Sequence, residues 1–98
     1  MQLIRRALVT LTIEEALLEI GGASLLNQVL RILYEKCQRY LPDCYDNPIN
    51  LKRVWVELDE GTCKTMISMV KEKLNEFSYQ KPISNFLADL DQIKYLNS

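Results

Sequence analysis

The chain has 98 residues, enough for one hydrophobic core and too few for two domains. Hydrophobic residues make up 48% and charged residues 26%, ordinary globular usage that excludes a disordered or low-complexity chain. Twelve basic against thirteen acidic residues give a net charge of −1, so no global positive charge supports a long nucleic-acid footprint, although a local patch stays open.

Residues 1–11 read as an N-terminal arm, and residues 12–98 as a single helical domain. Within "ALVTLTI" the β-branched residues make the one candidate strand of the chain. Leu3, Ile4, Leu8, Val9 and Leu11 supply more apolar surface than a solvated tail needs. Such an arm either covers the domain's own core or joins two chains. Its apolar run before Glu14 is too short and interrupted for a signal core or a membrane span, so membrane association is not expected and a cytoplasmic location is.

Ile13, Ala16, Leu17 and Ile20 recur at the spacing of one helix face, with Thr12 and Glu15 placed as a capping box. Gly21-Gly22 should stop that helix. A second helix follows over "SLLNQVLRILYEKCQRY", with Leu26, Val29, Leu30, Leu33, Cys37 and Tyr40 as its apolar stripe and Leu25 and Ile32 widening it. Pro42 should end it. Asn47 suits an N-cap and Pro48 a first helical position, which predicts a third helix from Pro48 to about Leu58 burying Leu51, Val54, Trp55 and Leu58. "DEGT" should break the chain again. Cys63, Met66, Ile67, Val70, Leu74 and Phe77 mark a fourth helix, and Pro82 opens a fifth with Ile83, Phe86, Leu87, Leu90 and Ile93 on its stripe. The expected fold is all-α, a bundle of about five short helices.

The chemistry is read mainly from what is missing. No histidine is present, which removes the commonest general base, metal ligand and triad partner. Three cysteines without histidine do not complete a four-ligand Cys/His zinc site, and an odd number of thiols suits a reducing compartment. No glycine-rich phosphate loop occurs. An enzyme is therefore not expected, nor a cofactor, a metal or any catalytic residue. The segment near 48–58 and 62–77 has the outline of a helix-turn-helix, whose second helix would expose Lys64, Thr65, Ser68, Lys71, Glu72 and Asn75. A small DNA-binding regulator is thus the alternative function, ranked behind protein binding.

The most distinctive stretch is "LPDCYDNP", residues 41–48. Pro42, Asn47 and Pro48 have a helix-ending or helix-starting task and Leu41 can tuck inward, which leaves Asp43, Cys44, Tyr45 and Asp46 as the candidate partner surface. Together with "IEEALLEIGG", "LYEKCQRYLPDCYDNPINLKRV" and "MVKEKLNEFSYQKPISNFL", this corner is similar to small archaeal helical domains, the Nitrosopumilus-type signalling output domains and related archaeal proteins. The residues that carry the likeness are Leu41, Asp43, Cys44, Tyr45, Pro48 and Leu51. The resemblance implies a non-enzymatic interaction module, regulatory or signalling in role, that reports to a protein partner; the expected partners are therefore a protein or, as a homodimer, a second copy of the chain. The resemblance carries no catalytic residues across.

Overall fold

In the computed structural model, residues 2–96 are described, and the surroundings of the side chains at 1, 2, 52, 53, 55, 56 and 93–98 fall outside the description. Helix α1 spans Gln2–Ile32 and runs into a π-helical turn at Leu33–Cys37. A single-turn helix α2 follows at Asp43–Asp46, then α3 at Asn50–Glu57, α4 at Glu60–Leu74 with a 3-10 turn at Asn75–Phe77, and α5 at Lys81–Leu96. The fold is all-α. Helices longer than one turn number four among the described residues, not about five, because the first two expected helices form one kinked element.

The residues expected as an arm are the first turns of α1. Val9, Ile13, Ala16 and Leu17 repeat at i, i+4, i+7 and i+8 and are all buried, so the helical period begins before the Ile13 at which it was expected to start. Packing against α4 overrides the β-preference of Val9, Thr10, Thr12 and Ile13. Both threonines are accommodated by bonding back one turn, Thr10 Oγ1 to the Arg6 carbonyl at 2.7 Å and Thr12 Oγ1 to that of Leu8 at 2.8 Å. Thr12 is therefore interior to a helix and caps nothing.

The glycine pair acts as a kink and not as a stop. Gly22 sits at φ 69°, ψ −163°, a conformation only glycine adopts without strain, and helical bonding resumes beyond it. The second arm buries Val29, Ile32 and Leu33, whereas Leu30 and Tyr40 of the expected stripe point outward. The π turn explains Tyr40: it inserts extra residues per turn, and Gln38 then ends the helix in the left-handed region at φ 55°. Pro42 thus lies four residues past the helix end it was expected to impose.

The later helices match their expected stripes more closely. Leu51 and Val54 of α3, Cys63, Met66, Ile67, Val70 and Leu74 of α4, and Ile83, Phe86 and Leu90 of α5 are all buried. Trp55 and Ile93 lie outside the described residues. α4 is sandwiched between α1 and α5, and the π turn rests on α3. A radius of gyration of 12.3 Å is that of one packed unit of this length.

Candidate functional site

The corner at 41–48 is built by short-range bonds and held from a distance by one arginine. Pro42, at φ −60°, starts α2; the amide protons of Cys44 and Tyr45 reach the carbonyls of Leu41 and Pro42 at 3.0 and 3.2 Å. Asp43 Oδ2 accepts from the Tyr40 amide at 2.9 Å, which closes the preceding loop. Arg6 of α1 then grips the corner at three places: Nη2 on Asp43 Oδ1 at 2.7 Å, and Nε on the Pro42 carbonyl at 3.2 Å and near Asp46 Oδ2 at 3.1 Å. The fork geometry of a guanidinium makes this multiple contact possible, where an ammonium would act as a single point.

Each of the four expected surface residues has a contact within the fold, while Asp46 keeps about half of its side chain exposed. Asp43 and Asp46 face Arg6. Cys44 is fully buried among the core side chains, and its thiol is pushed up to about 12, first by burial and then by the charges of Asp43 and Cys37. Such a sulfur stays protonated and packs as a small hydrophobe. Tyr45 is half-buried, its ring tilted 37° to that of Phe86 at 6.1 Å between centroids. Asn47 was expected to cap α3, but its contacts are backbone ones, its amide on the Asp43 carbonyl and its carbonyl under the Asn50 amide, and the residue at the cap position is Ile49.

Arg6 had no local sequence signal, because its partners lie 36 or more residues away and only the helical register of α1 reveals which way it faces. A second missed device starts α4. Asp59 accepts from the Thr62 amide at 2.9 Å and from its hydroxyl at 2.6 Å, and these bonds hold its carboxyl below the usual 3.8. The "DEGT" stretch contains this cap, so it begins a helix as well as ending one.

On the would-be recognition helix, Lys64 pairs with Glu60 at 3.1 Å, and Lys71 holds both carboxylate oxygens of Asp91 at 3.0 and 2.9 Å. Both cations thus have a carboxylate partner within the molecule, each pair exposed at the surface. Between α1 and α4 lies an open cleft of about 780 Å³, floored by Leu8, Met69 and Phe77, where Lys73 reaches Glu19 at 3.2 Å and Glu15 at 3.9 Å. Tyr34 and Tyr40 form an outward pair at 5.8 Å beside the π turn.

Among the described residues, α1 also carries exposed leucine and isoleucine side chains. Its buried residues Val9, Ile13, Ala16 and Leu17 occupy one side of the helix, and Leu3, Ile4, Leu11 and Leu18 occupy the opposite side, exposed by 78, 68, 53 and 45%. The apolar arm residues thus divide: Val9 and Leu8 cover the core, and Leu3, Ile4 and Leu11 face away from it. By length and composition the helical segment Leu3–Cys37 is also long and apolar enough to cross a membrane. Family models, curated proteins and solved structures offer no match to the chain.

Proposed function

We propose that the chain is a non-enzymatic helical interaction module of the cytoplasm, regulatory or signalling in role, that binds protein through the outward face of α1. One observation carries the reading: α1 is apolar on two opposite faces and needs only one of them for its own core. This reading keeps the regulatory role that the sequence resemblance implies and places the contact on the helix beside the corner, because Asp43 and Cys44 are engaged within the fold. DNA binding by α3 and α4 has weaker support, because Lys64 and Lys71 are paired with carboxylates.

The test compares three baits in a capture experiment from native lysate: the wild-type chain, a Leu11→Glu, Leu18→Glu double variant, and a Tyr45→Ala, Asp46→Ala double variant. Capture should be lost with the first pair while its melting curve is kept. Equal capture by the wild-type chain and the Leu11→Glu, Leu18→Glu variant refutes the reading.

A further inference from the structure

Resting on that reading, we propose that the occupant of the α1 outer face is a second copy of the chain, docked antiparallel with the two Leu11 side chains in contact. Ile4, Leu11 and Leu18 recur every seven residues, one of the two positions per heptad that line a seam between paired helices, and Ala7 and Glu14 hold the other. The set is also symmetric about Leu11. Reversing one helix about that residue sets Ile4 against the partner's Leu18 at both ends and Leu11 against the partner's Leu11 at the centre. Ala7 and the hollow of about 320 Å³ between Leu3, Leu11 and Pro42 give an approaching helix depth in which to seat.

The area is sufficient for a reversible pair. At roughly 200 Å² for a fully open aliphatic residue, the four exposures leave about 500 Å² per copy, so pairing removes at most roughly 1,000 Å², the threshold for a specific interface. The expected dimer is therefore concentration-dependent.

Charge selects both the occupant and the direction. Glu14 lies between Leu11 and Leu18 on the same face and lines the same hollow as Leu11. A parallel pair in register sets the two Glu14 carboxylates side by side, whereas the antiparallel pair separates them by six residues, about 9 Å along the helix. A lipid surface fits less well. Helices that lie on membranes carry lysine and arginine beside the apolar face. Here the flanking charges are Glu14, Glu15 and Glu19, while Arg5 is turned to Gln80 at 2.9 Å and Arg6 to Asp43.

Sedimentation equilibrium of the full chain over a wide concentration range should show a monomer–dimer equilibrium. Leu11→Glu should raise its dissociation constant by about a hundredfold or more, since each dimer would bury two carboxylates, and should leave the monomer's melting temperature unchanged. In a Cys37→Ser background, an Ile4→Cys chain mixed with a Leu18→Cys chain should form an intermolecular disulfide under mild oxidation, and neither chain should do so alone. A disulfide between two Ile4→Cys chains alone, or a monomer at every concentration, overturns the proposal, as does binding to phosphatidylcholine vesicles by a monomer that never dimerises. A monomeric wild-type chain whose lysate capture still depends on Leu11 and Leu18 overturns the second copy but leaves the interaction face standing. Self-association and capture that both ignore the substitutions overturn both readings.

Discussion

The corner at 41–48 and the outer face of α1 make opposite use of their side chains. The corner carries two carboxylates, a thiol and a phenol, groups that look available for chemistry, and the fold engages both carboxylates with Arg6, the thiol with the core and the Tyr45 ring with Phe86, leaving Asp46 about half exposed. The outer face carries aliphatic groups, which look like core, and leaves them uncovered. Polar side chains in a short turn first satisfy the backbone and the charges around them, because an unpaired buried polar group costs more than a paired one returns. An apolar group on a helix has no such local partner. Its use is decided by which side of the helix meets the core.

The sharpest way to break this contrast is one carboxylate in each region. Cys44→Asp places a charge where no solvent reaches, beside Asp43, and should cost about 3 kcal/mol or more out of a domain stability of roughly 5–15 kcal/mol. Leu11→Glu should leave the monomer's melting by circular dichroism where it was. Similar melting losses for the two variants would mean that the regions do not differ in the way described.

Arg6→Ala comes next. It removes one three-acceptor clamp from Pro42, Asp43 and Asp46, a partly solvated network, so urea unfolding should show a loss of about 1–2 kcal/mol. Arg6→Lys should recover only part of it, since an ammonium does not span the three acceptors. Arg5→Ala, which gives up a single bond to Gln80, is the control and should lose less. Equal losses for Arg5 and Arg6 would remove the special standing of the corner.

These variants also show which parts of the molecule could be read from the chain alone. The stripes of α4 and α5 were legible because their apolar residues face one side only and their spacing is unambiguous. α1 was harder to read because it is apolar on two sides, which blurs its period, and because its β-branched residues suggested a strand. The π turn left no mark in the pattern, so Tyr40 was placed on the wrong face. At the site, a break between helices was legible from the prolines, but their places in it were not: Pro42 starts α2 instead of ending a helix, and Pro48 lies two residues before α3. The clamp on the corner was not legible either, since Arg6 meets Asp43 only after the whole bundle has closed.

Alkaline pH sharpens the account of Cys44. A thiol raised from 9.0 to about 12 by burial remains protonated in the folded chain while the unfolded chain ionises, so its stabilising contribution is complete below pH 9 and is lost as pH rises from 9 towards 12. Cys63, raised to about 11, adds in the same direction. One pH unit above 9 the loss from Cys44 is about 1 kcal/mol. Cys44→Ala should flatten that part of the pH curve relative to wild type, and an unchanged slope would contradict the burial. Iodoacetamide at pH 8 should label no more than Cys37 in the folded chain, because it is the one cysteine not buried.

A smaller effect is expected at the start of α4. Asp59→Ala removes the acceptor of two bonds from Thr62 and should lower the melting temperature by a few degrees at neutral pH. Thr62 holds the Asp59 carboxyl below 3.8, so the contribution is present above that value and is lost as pH falls through the lower, folded-state pKa. The gap between wild type and variant should close over that acid range. A gap that persists there would assign the effect to helix propensity and not to the cap.

The smallest effect belongs to Asn47, the residue whose type most strongly suggested a cap. Its amide proton bonds the Asp43 carbonyl and its carbonyl receives the Asn50 amide, both at 3.0 Å, and alanine keeps both groups. With φ −142° and ψ 80° the backbone is also one that alanine can adopt. Asn47→Ala should therefore change stability by less than about 0.5 kcal/mol, the range of surface substitutions that break no named interaction. A loss of about 1 kcal/mol would be cap-sized and would mean that the side chain binds the first turn of α3 in solution. In that case the corner is closed by its own residues as well as by Arg6, and Arg6→Ala should then cost less than the clamp alone implies.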